Sequence, residues 1–142
     1  MKLLVRTLTS FFYVGYLPAG GTWGSAAGLA VAALCQGAFL PLITGVLSVV
    51  GLLACRPAQI AFAKEDPPEF VLDEVCGMLV SLVWLPFRAP VFIAAFALFR
   101  FFDILKPWPI SWLERRTGPA GIMLDDLAAG VFTNLILRFF FS

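Results

Sequence analysis

Three long apolar stretches, residues 26–55, 75–102 and 122–141, take up more than half of this 142-residue chain and leave few folds open to it. Hydrophobic residues make up 61% and charged residues only 13%, with a mean hydropathy of +0.93. A soluble domain is about half apolar and about a quarter charged. The chain therefore reads as an integral membrane protein, and its length suggests one domain spanning residues 1–142. The expected fold is all-α: a compact polytopic membrane helical bundle with short, broken or hairpin helices.

The run lengths carry that expectation. A perpendicular span needs about 20 residues. The 26–55 and 75–102 runs hold 30 and 28 residues, long for one span and short for two. Each has Pro or Gly near its middle: Gln36-Gly37 and Pro41 in the first, Pro86 to Pro90 in the second. Both are predicted as hairpins or broken helices. Residues 3–17 suggest a short interfacial helix or partial span. Their basic start and apolar centre imitate a signal peptide, but the glycine cluster that follows argues against cleavage. By composition AGGTWGS (19–25) is a turn, and residues 56–70 and 103–121 are polar connections. Pro107 predicts a helix end near Ile104–Lys106.

Five carboxylates sit at the ends of these runs: Asp73-Glu74, Asp103 and Asp125-Asp126. Charge near hydrocarbon is costly and is usually kept in a polar cavity with a partner. With Arg100 and Lys106 close in sequence, the set points to oxygen ligands for a hard divalent cation beside an anionic substrate. Asp73-Glu74 can meet Asp103 only if the 75–102 run goes out and comes back. Blander readings exist for each part. An acidic pair at a helix start interacts favourably with the helix dipole, Asp103 can pair with Arg100 one turn back, and Arg100 and Lys106 can be interfacial anchors. The glycines at 20–25 can be a simple turn, or a turn whose amides bind phosphate.

Several chemistries are excluded. The chain has no histidine, hence no phosphohistidine route. No cysteine has an arginine six positions on, and no Asp-x-Asp of the soluble aspartyl-phosphate type occurs. The Asp-Gly-x-x-Ala-Arg signature of lipid-alcohol phosphotransferases is absent too. Cys35, Cys55 and Cys76 fit neither a zinc site nor a disulfide framework and read as small buried residues. A net charge of +1 gives no sign of a nucleic-acid partner. Metal-assisted chemistry by carboxylates remains, for which Mg²⁺ is suited. A small transporter or channel subunit with a carboxylate cation site is the alternative, but it does not explain a lysine and an arginine flanking Asp103.

Four blocks, GTWGS (21–25), VLDEVCGM (71–78), RFFDILKPWPI (100–110) and GIMLDDLAAGV (121–131), together resemble the phosphatidylglycerophosphatase A family in content and order. The resemblance implies a single membrane-embedded phosphatase domain that uses Mg²⁺ to remove the terminal phosphate of phosphatidylglycerophosphate. The family's Asp-Glu pair falls on Asp73 and Glu74, its Arg-x-x-Asp aspartate on Asp103, and its Asp-Asp pair on Asp125 and Asp126. These five are the expected catalytic and metal residues. Arg100, Lys106, Thr22, Gly24 and Ser25 are the expected phosphate-binding residues, and Asp66 matches an acidic position more loosely. The chain departs from the pattern at Leu29-Ala30, where a proline often stands near. The expected partner is a phospholipid in the bilayer of a bacterial-type inner membrane. Basic residues at the N-terminus and at 100–116 would place the site towards the cytoplasm. No oligomeric state is assigned.

Overall fold

The computed structural model describes residues 1–141, and these form an all-helical bundle. In order come α1 (Lys2–Thr9), a 3-10 turn (Val14–Tyr16), α2 (Gly20–Leu34), α3 (Phe39–Phe62), α4 (Leu72–Leu82) and α5 (Ala89–Leu105). Then follow α6 (Ile110–Arg116), a 3-10 turn (Gly118–Ala120) and α7 (Gly121–Phe141). Two helices, Phe39–Phe62 and Gly118–Phe141, are long and apolar enough to cross a membrane. Their exposed residues include Leu42, Val46, Val49 and Leu53 on α3 and Val131, Leu135 and Phe139 on α7. Apolar surface of that extent marks a membrane-associated protein.

The hub is α4. It packs against α2, α3, α5 and α7, most extensively against α7. Its sequence explains the position: Leu72, Val75, Cys76, Met78, Leu79 and Leu82 are buried on one side and Asp73, Gly77 and Ser81 on the other, as in a helix surrounded by others. Close packing through small residues carries the α4–α7 contact. Gly77 on α4 and Gly130 on α7 supply it. A Cβ on Gly77 would lie 2.5 Å from the Phe99 ring and 2.6 Å from the Asp126 carbonyl, and one on Gly130 would collide with the Gly77 carbonyl.

Both long runs are broken, as the prolines and glycines suggested. The first parts at Cys35–Ala38 into α2 and α3, and the second at residues 83–88 into α4 and α5. The two products differ. α4 and α5 pack together as a hairpin, whereas α2 and α3 each pack on α4. Helix α5 ends at Leu105, with Lys106 in the left-handed region (φ 45°) as its cap.

Three local expectations are corrected. Residues 19–25 do not form a turn, because helix α2 begins at Gly20. Its glycines serve packing: a Cβ on Gly24 or Gly28 would lie 2.9 Å from Val71 or 2.7 Å from Met78, on α4 or just before it. Residues 56–70 are not all connection, since α3 continues to Phe62 with Pro57 inside it. Its end is stabilised from outside by Arg6, whose guanidinium donates to the Ala61 carbonyl at 2.6 and 3.2 Å. Residues 103–121 contain α6.

At the other end of α4, Asn134 of α7 donates to the carbonyls of Val80, Ser81 and Val83 at 3.0–3.1 Å. Arg138 donates to Asn134 and to Val83. These groups satisfy helix-end carbonyls that water would otherwise have to reach. Interhelical hydrogen bonds in membranes average about 0.6 kcal/mol each. The two N–H groups of Asn134 are shared among these carbonyls, so Asn134→Leu should lose about 1 kcal/mol, read as a lower thermal midpoint in detergent with little change in the site. An unchanged midpoint would show that the clasp adds nothing to stability.

Candidate active site

Asp73 and Glu74 stand in the first turn of α4. Asp125 and Asp126 follow the start of α7 by one turn, and Asp103 lies in the last turn of α5. All five line one cavity of about 1050 Å³. Within it Asp73, Glu74 and Asp126 bring ligand oxygens within 4.8 Å of one another. Asp103 lines the same cavity and is ion-paired to Arg100. Asp125 is ion-paired to Lys106 at 2.7 Å.

The two acidic pairs share one construction. In each, the first residue's Oδ1 accepts the next residue's backbone N–H: Asp73 from Glu74 and Asp125 from Asp126, both at 2.9 Å. In each helix a glycine follows one turn after a clustered acid, giving Asp73-x-x-x-Gly77 and Asp126-x-x-x-Gly130. The backbones meet at the glycines, so the acids one turn earlier are forced together. Neither helix could hold this cluster alone.

The cations around the cluster are engaged elsewhere. Arg100 is paired with Asp103, while Lys106 bridges Asp125 and Glu114, the latter at 2.9 Å. Burial works against the Lys106 ammonium, but the two carboxylates outweigh it and hold its proton well above the usual lysine range. Glu74 Oε2 is buried and has no hydrogen-bond partner among the described residues. Three carboxylates this close repel one another strongly unless a positive charge sits between them. An all-oxygen donor set with an orphaned oxygen suits a hard divalent cation.

The remaining sequence candidates are placed differently. Thr22 is exposed on α2, Gly24 is packed against Val71 and Glu74, and the Ser25 hydroxyl donates to the Gly21 carbonyl at 2.9 Å. None of these three lines the cavity; Gly20 and Gly21 do, in the first helical turn, where amides lack intrahelical partners. Arg100 does not line it either, although its guanidinium lies beside Gly21. Asp66 is on the wall with Glu65 and Glu69. Glu114 was missed, because the 103–121 segment read as a connection. Its separation from Lys106 by two turns' worth of residues gave no periodic signal across Pro107 and Pro109.

Fold and site together define a membrane-associated helical protein with an acidic, cation-flanked cavity at one end of the bundle. The family model described as Phosphatidylglycerophosphatase A matches residues 7–141, so the chain belongs to the phosphatidylglycerophosphatase A family and is a phosphatase of that type. It is 36% identical over 127 residues to the Phosphatidylglycerophosphatase A of Haemophilus influenzae, covering 84% of this chain and 77% of that one. The Escherichia coli protein of the same name is 39% identical over 92 residues, 63% of this chain and 54% of that one. A Bacteroides thetaiotaomicron protein with the provisional name phosphatidylinositol-3-phosphatase is 41% identical over 76 residues, 51% of this chain and 48% of that one. No solved structure matches the chain. Family membership sets aside the transporter reading.

Proposed function

We propose that this phosphatase hydrolyses the terminal phosphomonoester of phosphatidylglycerophosphate, leaving phosphatidylglycerol and phosphate, with Mg²⁺ as its cofactor. The observation that carries the reading is the Asp73, Glu74 and Asp126 cluster, which opens on the same cavity as Lys106 at one end of an apolar bundle. These three carboxylates would hold the ion. When bound there, Mg²⁺ supplies Lewis-acid polarisation of the phosphoryl group and charge neutralisation.

The chain's own residues supply the rest. Lys106 has three N–H donors and uses two on Asp125 and Glu114, so one remains for a phosphoryl oxygen. Arg100, fixed by Asp103, adds positive charge behind the cluster. The first-turn amides of Gly20 and Gly21 face the same cavity and favour an anion. Both Asp125 oxygens are occupied, by the Asp126 N–H and by Lys106. Asp103 lies on the same cavity wall and is paired to Arg100 through one oxygen only, and we assign it to take the proton of the attacking water. Water adds to phosphorus as the bond to the glycerol oxygen breaks, and the proton held by Asp103 returns to that alkoxide.

The distribution of basic residues supports the bilayer reading. Lys2, Arg6, Arg100, Lys106, Arg115 and Arg116 favour a cytoplasmic cavity end in a multi-pass inner-membrane protein. Residues 1–142 act as a single membrane-embedded domain in this reading. The test is phosphate release by purified protein from phosphatidylglycerophosphate, phosphatidylinositol 3-phosphate and glycerol 3-phosphate. The first should be preferred, a chelator should abolish release, and Mg²⁺ should restore it. Stripping the ion should also lower the thermal midpoint, since a ligand of the folded state stabilises it. Chelator-resistant release would overturn the metal, and preference for another phosphate would overturn the substrate.

A further inference from the structure

We infer that Glu114 is the positioning residue of the site: from α6 it clamps the Lys106 ammonium against Asp125, so that the third N–H of Lys106 stays directed to the substrate's phosphate. The inference deepens the proposed phosphomonoester chemistry and rests on it for the kinetic part alone. Lys106 leaves the end of α5 as a left-handed cap, just before a segment with two prolines. Nothing in α5 itself fixes the direction of its long side chain. Two carboxylates from two other helices do: Glu114 Oε1 at 2.9 Å and Asp125 Oδ2 at 2.7 Å. The two differ in character. The Asp125 side chain is 5% exposed and also accepts the Asp126 N–H, whereas that of Glu114 is 38% exposed and has no role in the three-carboxylate cluster.

The placement of Glu114 is built into the backbone. Helix α6 packs on α7, and the junction closes at Gly121, where an added Cβ would lie 2.6 Å from the Glu114 carbonyl oxygen. The Thr117 hydroxyl donates to the Leu113 carbonyl at 2.5 Å and secures the end of α6. The junction therefore sets where the Glu114 carboxylate meets Lys106. An ammonium with one carboxylate partner swings about it. With two partners on separate helices, its remaining donor has a defined direction, as preorganised charge stabilisation requires.

The experiment has two readouts. Reductive methylation of the intact protein in detergent, followed by mass spectrometry, reports the reactivity of Lys106 against Lys2 and Lys64, the chain's other two lysines. Glu114→Gln keeps the size, and Glu114→Ala removes the clamp. Both should raise methylation of Lys106 several-fold, Ala more than Gln, and leave Lys2 and Lys64 unchanged. In phosphate release, Glu114→Ala should lower kcat by about tenfold, the scale of one lost ionic hydrogen bond, with KM nearly unchanged. In a Lys106→Ala background the same change should have no further effect on kcat. Unchanged Lys106 reactivity overturns the clamp. Multiplying kinetic effects in the double variant also overturn it, because Glu114 would then act on the site independently of Lys106. If the wild type releases no phosphate from the lipid yet Lys106 responds to Glu114→Ala, the substrate reading falls and the clamp stands.

Discussion

Asp126→Asn should reduce kcat/KM by roughly a thousandfold or more, about 4 kcal/mol of lost transition-state stabilisation, while leaving the protein folded. The substitution keeps the shape of the side chain and removes one negative oxygen. Asp126 belongs to the three-carboxylate cluster, lines the cavity with Asp103, and is only 2% exposed. Its loss leaves Asp73 and Glu74 as a two-ligand remnant on one helix. The measurement is steady-state phosphate release with Mg²⁺ raised to saturation, beside a thermal melt of the same sample. Near-normal turnover at saturating Mg²⁺ would remove Asp126 from the metal set.

Gly77→Val should have the second large effect, this time through packing. Even one added carbon would sit within 2.6 Å of both the Phe99 ring and the Asp126 carbonyl. Phe99 is fully buried and Asp126 lies in α7, so neither can move aside without separating the helices. Overpacking of this kind costs about 1–3 kcal/mol and more when backbone must shift. The expected result is poor recovery of folded protein. Any folded fraction should lose activity and metal-dependent stabilisation together, because the cluster spans the helices that the new side chain pushes apart. A stable, active Gly77→Val protein would show that the α4–α7 contact does not set the site.

The site was more legible in the sequence than the path of the backbone. Each carboxylate alone has a bland explanation, but five at the ends of apolar runs beside Arg100 and Lys106 do not share one, and Asp73, Glu74, Asp103, Asp125 and Asp126 all line one cavity. Pro107 announced the end of α5, and Gln36-Gly37 and Pro86 announced the two breaks. Glycine was misread where it serves contact. In GTWGS a local reading sees a turn, whereas Gly24 makes room for α4 and its surroundings, information that resides in another segment. The same holds for Gly77 and Gly130: the Asp-x-x-x-Gly spacing appears in both helices, but its meaning depends on those helices meeting. Arg56 and Pro57 looked like the start of a connection, yet α3 runs on because α1 brings Arg6 to its far end. Glu114 had no signal of its own, since two prolines separate it from the lysine it binds.

The carboxylates gather at one end of the bundle, and the Asn134–Arg138 clasp closes the hub helix at the other. With a bilayer around it, such a protein has a front and a back. Under the proposed membrane reading, a headgroup reaches Lys106 only from the leaflet on the cavity side. Supply is then governed by sidedness as much as by amount. Whatever reaction makes the phosphorylated lipid must release it on the front side, or transverse movement across the bilayer becomes the step that sets the flux.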